Sequence, residues 1–221
     1  MALIPTIAAL ALGGWLGMRW GGMPSNVLEW RPTAWIMGLS GLSLLIVTDL
    51  AGLTGSLGVL ARLISLGLLL AFSVLNIRTG GMILVIIGLG LNFLVTLFNW
   101  GMPVSGSAMV SAGIVDDAAA LDSLTLTGGH KLSEGGISFL GNVIPLPWGQ
   151  VISIGDIIWL AGLVLVTASV LRRYEVRSVS TTPASYTRAL SALNRGPAPR
   201  HGPGLHPSRM GEKPSRGSER Q

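Results

Sequence analysis

Met82-Ile83-Leu84-Val85-Ile86-Ile87-Gly88-Leu89-Gly90-Leu91-Asn92-Phe93-Leu94-Val95-Thr96-Leu97-Phe98-Asn99-Trp100 is a run of 19 residues without one charged side chain. As a helix it would rise about 28 Å at 1.5 Å per residue, close to the roughly 30 Å hydrocarbon thickness of a bilayer. Four other stretches read the same way: residues 2–18, 33–53, 57–75 and 153–171. Composition agrees with them, since only 11% of the chain is charged, against about 25% in soluble domains. Mean hydropathy is +0.61. The sequence therefore predicts an all-α integral membrane protein, a bundle of five transmembrane helices within residues 1–171. A long outer loop, 101–152, joins the last two spans.

Charge is segregated. Residues 1–171 carry five of the 15 Lys and Arg residues and the last fifty carry ten, so the net charge of +5 belongs to the tail. That tail, 172–221, mixes Arg, Pro, Gly and Ser without apolar periodicity and is expected to be disordered. Because it directly follows an apolar span, its basic residues point to anionic lipid headgroups rather than nucleic acid, with Arg172, Arg173 and Arg177 at its root as the contacts. Cysteine is absent, which excludes disulfides, thiolate metal sites and cysteine nucleophiles.

Orientation follows from the Lys and Arg count in the connections, whose excess marks the cytoplasmic side. Arg19 and Arg31 fall in the first connection, Arg78 in the third and ten basic residues in the tail. The second connection has no charge, and the fourth sets Lys131 against Asp116, Asp117, Asp122 and Glu134. This places the N-terminus outside and the C-terminus in the cytoplasm. The first span lacks the basic start of a cleaved signal and has Arg19 behind it, so it is expected to be retained. Trp20, Trp30, Trp35, Trp100 and Trp148 sit near span ends, where amphipathic rings prefer the headgroup level. Gly13 and Gly17 are spaced to let helices approach closely.

The outer loop is too long for a plain connection. Ser107 to Leu121 reads as one short helix, Thr127 to Gly136 as a glycine-rich turn, and the prolines of Gly141-Asn142-Val143-Ile144-Pro145-Leu146-Pro147 favour extended backbone. Met102, Pro103, Asn142, Pro145 and Pro147 are expected to form a cap over the outer mouth of the bundle.

Ionisable groups inside spans are costly and are the first place to look for a site. Asp49 and Arg62 share a helical hairpin with a short turn, at similar depth, so an ion pair between them is expected, either to fix the hairpin or to bind a solute. Ser153-Ile154-Gly155-Asp156 has the spacing of a helix N-terminal cap. Asn92 and Asn99, seven residues apart, share a helical face and complete a polar cluster in the outer half of the bundle. His130 with Asp116, Asp117 and Glu134 has no diagnostic ligand spacing, and no G-x-S-x-G, H-E-x-x-H or phosphate-binding loop is present. No catalytic residue, metal or cofactor is assigned.

Three stretches in fixed order carry a resemblance: Asn92 through Asn99-Trp100-Gly101-Met102-Pro103-Val104-Ser105, then Gly141 to Pro147, then Ser153 to Asp156. Over about residues 1–172 the chain resembles an uncharacterised family of small integral membrane proteins of actinobacteria and clostridia, a domain of unknown function. The resemblance implies a bacterial source, a five-helix fold and a shared outer cap, and it brings no activity. The resemblance implies an acidic residue where this chain has Asn142, so no role that depends on a carboxylate carries over to that position. The functional expectation is a structural or accessory subunit with a membrane protein partner. The competing class is a small-solute or ion transporter built on the polar cluster, and a membrane-bound enzyme using His130 comes third.

Overall fold

The computed structural model describes residues 3–132 and 136–172, with Arg188, Leu190 and Ser191. It has two units, Met1–Tyr174 and Glu175–Gln221. Of the second unit only those last three residues are described, and they are helical. The expectation of a disordered tail, and the roles expected of Arg173 and Arg177, lie outside the described residues.

Five long helices build the first unit: α1 (Leu3–Arg19), α3 (Trp35–Leu50), α4 (Gly55–Leu75), α5 (Met82–Asn99) and α7 (Ile154–Leu171). Between α1 and α3 lies a short helix, α2 (Ser25–Glu29), which composition does not signal. The helices pack in the order α3, α4, α5, α7, α1. Leu66, Met82, Val85, Leu89, Val166 and Val170 form the buried core between α4, α5 and α7. Small residues set the closest approaches: a Cβ on Gly13 would stand 2.6 Å from the Val164 carbonyl oxygen, and one on Gly17 would stand 2.8 Å from Leu171 Cδ1. Gly13 and Gly17 therefore face α7, whereas a Cβ on Gly14 would meet nothing within 4 Å.

Among the described residues three helices, α4, α5 and α7, are long and apolar enough to cross a membrane. The expected spans 2–18 and 33–53 become helices of 17 and 16 residues, about 25 Å each. The first keeps its expected length, shifted by one residue, and the second is about five residues shorter. After α1 the chain turns at Gly21 (φ 84°), and Gly22 N–H bonds the Gly17 carbonyl at 2.9 Å. After α3 it turns at Gly52 (φ 62°), and Leu53 N–H bonds the Thr48 carbonyl at 3.2 Å. Both are left-handed stops that satisfy the last helical carbonyls.

The expectation of an all-α fold is corrected by the segment between α5 and α7, which contains a four-stranded mixed sheet in the order β2-β1-β3-β4. Its strands are β1 (Met102–Val104), β2 (His130–Leu132), β3 (Asn142–Leu146) and β4 (Gln150–Ser153). β1 runs parallel to β2 and β3, whereas β3 and β4 form an antiparallel hairpin. Pro145 pairs with Val151 on β4, but β1 meets β3 only at Asn142, so the missing proline N–H breaks no bond to β1. The single helix expected over Ser107 to Leu121 is instead α6 (Gly106–Ser111) and a 3₁₀ turn, Ala119–Ser123. Gly113 (φ 70°) interrupts it in a left-handed conformation that ends a helix.

Candidate functional site

Where the sheet meets the helices, α5 and α7 come together through Gly88, on which a Cβ would lie 2.6 Å from that of Trp159. This approach brings Asn92, Ser153 and Asp156 into a closed ring of hydrogen bonds. Asn92 Nδ2 donates to Asp156 Oδ1 (2.8 Å), Ser153 N–H to Asp156 Oδ2 (3.0 Å), Asp156 N–H to Ser153 Oγ (2.9 Å), and Ser153 Oγ–H to Asn92 Oδ1 (2.9 Å). Two of these bonds are a capping box at the start of α7, which satisfies otherwise orphaned helix N–H groups. The other two tie that cap to α5. Trp159 Nε1 adds a donor to Asp156 Oδ1 at 3.3 Å, and Thr96 Oγ1 bonds the Asn92 carbonyl at 2.7 Å.

Asn92 and Ser153 are buried, and the Asp156 carboxylate faces three donors. An acceptor so engaged is held in place. Asn99 does not join the ring; its side chain donates to the Val95 carbonyl one turn earlier on its own helix.

A second polar group lies over the α3–α4 hairpin. Arg62 Nη1 donates to the Gly128 carbonyl at 3.1 Å, and Gly128 N–H donates to the Leu53 carbonyl at 2.8 Å. Among the described residues, Arg62 Nε is buried with no hydrogen-bond partner. Asp49, and after it Asp156, contribute favourable charge at the guanidinium. A Cβ on Gly128 (φ 67°) would collide with Asp49 Oδ1, and one on Gly129 would stand 2.8 Å from the Gly58 carbonyl oxygen. The Gly128-Gly129 turn is therefore a wedge seated on the hairpin. Sequence reading missed this role, although two adjacent glycines before a histidine were its visible sign.

His130, which follows the wedge, is half-buried, and its Nδ1–H donates to the Thr127 carbonyl at 2.9 Å. Burial and then the nearby Arg62 charge push its pKa down to about 3, only partly opposed by that hydrogen bond, so the ring is neutral at physiological pH. Asp117 is exposed and accepts from Ala120 N–H at 3.0 Å. Asp116 is exposed too, and Glu134 lies outside the described residues. Among the described residues no three His, Asp or Glu side chains converge as a metal site.

The expected cap residues divide by depth. Met102 and Pro103 are fully buried in β1, with Thr96 Oγ1 3.6 Å from Met102 Sδ. Asn142 is 7% exposed, and its Oδ1 has no partner among the described residues. Pro145 and Pro147 are exposed at the far end of the β3–β4 hairpin. At the opposite end of the bundle, Arg172 stands over the Trp20 ring, 5.4 Å from its centroid.

A family of unknown function (DUF5317) has a model that matches residues 29–168. No curated protein and no solved structure matches the chain. The chain belongs to that family, as the order of its three motifs implied. The match begins at the end of α2, so it covers less than the 1–172 those motifs suggested.

Proposed function

We propose that this DUF5317 protein is a multi-pass protein of the bacterial cytoplasmic membrane and a structural or accessory subunit of a membrane assembly. In this reading α1, α3, α4, α5 and α7 all cross the bilayer, with α1 and α3 accommodated by local thinning or by their interfacial tryptophans. The sheet-bearing cap faces outward and the chain beyond Arg172 enters the cytoplasm. Support comes from the ends of the helices: the connections holding Arg19, Arg31 and Arg78 share one end with Arg172, and the cap occupies the other. Apolar side chains on the perimeter, such as Ile7, Leu39, Val47 and Phe98, match a lipid surround.

The observation that carries the accessory role is the Asn92–Ser153–Asp156 ring. Polar groups that an ion path or a general base would need are spent on fixing α5, α7 and the cap to one another. The cap then offers a rigid outer face on which Phe139 and Trp148 stand exposed, residue types that anchor protein interfaces. Mild cross-linking in native membranes followed by purification and mass spectrometry tests this. A stoichiometric protein partner is expected, cross-linked through the cap or the outer helix faces. Recovery of the chain alone would count against the accessory role.

Transport is the second reading, favoured by one observation: the buried Arg62 guanidinium, within the electrostatic influence of Asp49 and Asp156, keeps Nε without a partner among the described residues. Replacing Asp49 and Arg62 together by Leu separates the two. A transporter would stay folded and lose flux, whereas a structural pair shows only a change in stability.

A further inference from the structure

At the end of the bundle away from the cap, Trp20, Gly80, Gly81, Leu165, Ser169 and Arg172 line a recess of about 180 Å³. One water needs roughly 10 to 15 Å³ of such space, so the recess accepts a larger group. It exists because two glycines precede α5. Gly81 (φ 89°) lets the helix start against α7, where a Cβ would stand 2.5 Å from Leu165 Cβ. Gly80 packs on Ser169, where a Cβ would stand 3.0 Å from Ser169 Cβ, and its carbonyl accepts from the Ser169 hydroxyl at 3.0 Å. Trp20, just past α1, forms one wall and holds Arg172 at the rim through its ring face.

Chemistry changes sharply across this recess. The rim carries a guanidinium, and Arg19 and Arg78 stand exposed at the same end, where Glu29 is the one acid among the described residues. Below the rim the wall is apolar, formed by Ala168 and by Leu165, which is 42% exposed on its helix face. A group that fits has an anion at one end and hydrocarbon at the other, at the depth where Trp and Arg mark the membrane interface. A guanidinium matches phosphate oxygens in pairs, and its orientation over an indole leaves the N–H edges free to do so.

We propose that this recess is a specific site for one anionic phospholipid. Its phosphodiester sits on Arg172 beside Trp20, its glycerol lies over Gly80 and Gly81, and its first acyl carbons follow Leu165. A zwitterionic lipid would bring its ammonium group into the cationic rim and is disfavoured. The inference rests on the membrane reading above and is independent of the accessory role.

The test uses the full chain in nanodiscs of equal phosphatidylglycerol and phosphatidylcholine, released for native mass spectrometry. One retained phosphatidylglycerol per chain is expected. Arg172→Gln should lower its retention about tenfold or more, the scale of a hydrogen bond between charged groups. Leu165→Trp, which fills the recess and leaves the charge alone, should lower it as well. Arg78→Gln, exposed at the same end but outside the recess, should change it less than twofold. Equal retention of the two lipids, equal loss with Arg78→Gln, or displacement by millimolar inorganic phosphate would overturn the site. Carbonate-resistant membrane association is scored on the same variants, so that a failure of lipid selectivity in an integrated protein counts against this site alone.

Discussion

Asn92 Nδ2 donates to Asp156 Oδ1 at 2.8 Å, joining α5 to the first turn of α7 across 64 residues of sequence. The same carboxylate closes the α7 capping box and receives Trp159. One side chain thus serves a helix cap, a helix–helix contact and the root of the cap.

Asp156→Ala removes the capping box, worth about 1 kcal/mol, and leaves the Asn92 amide and Trp159 N–H without their acceptor, at about 1 kcal/mol or more each. A loss near 3 kcal/mol is expected from denaturant unfolding in mild detergent. A loss below 1 kcal/mol would mean the ring contributes nothing beyond its cap.

Gly128 and Gly113 both have positive φ, at 67° and 70°, but their surroundings differ. A Cβ on Gly113 meets nothing within 4 Å, whereas one on Gly128 runs into Asp49 Oδ1. Gly113→Ala should cost only the backbone term, about 1 to 2 kcal/mol. Gly128→Ala should cost clearly more and loosen the wedge, read as faster proteolysis within residues 120–132. Equal melting temperatures for the two variants would contradict the wedge.

Arg62→Leu removes the donor to the Gly128 carbonyl and the positive charge that Asp49 acts on, and loss of a hydrogen bond from a charged group costs about 1.5 to 3 kcal/mol. The Asp49→Leu, Arg62→Leu double variant should recover part of that loss. A double variant that is less stable by the full sum of the single losses would show that the two residues do not interact.

The neutral state of His130 sets a pH dependence. Its folded pKa is about 3, below the roughly 6.5 of an unfolded histidine. Above pH 6.5 both states hold neutral imidazole and the residue is silent. As pH falls from 6.5 toward 3, the unfolded chain takes up a proton that the folded one refuses, so stability declines by at most about 1.4 kcal/mol per pH unit. Comparison of wild type with His130→Gln between pH 7 and 4.5 should show a shallower decline in the variant; parallel curves would contradict the burial of the ring.

The long helices were legible because an uninterrupted apolar run has one reading at bilayer length, and α4, α5 and α7 fall within two residues of the expected bounds. The S-x-x-D spacing of Ser153 and Asp156 was legible for the same local reason. The sheet was not. Its strands are three to five residues long, too short for alternation to register, and β1 finds its partner at His130 across an intervening helix. Nor could spacing tell Asn92 from Asn99. Both lie on α5, and what separates them is the close approach at Gly88 and Gly155, a property of two helices and not of either run.

The central claim is that five helices cross the membrane and hold the sheet-bearing cap outside. With no native cysteine in the chain, single substitutions at exposed Ser25, Ser56, Arg78 and Asp117 can be labelled in intact cells with a membrane-impermeant maleimide. The account predicts labelling of Ser56→Cys and Asp117→Cys from outside, with Ser25→Cys and Arg78→Cys reacting only after permeabilisation. Labelling of Ser25 and Ser56 from the same side would contradict it, because α3 would then not cross.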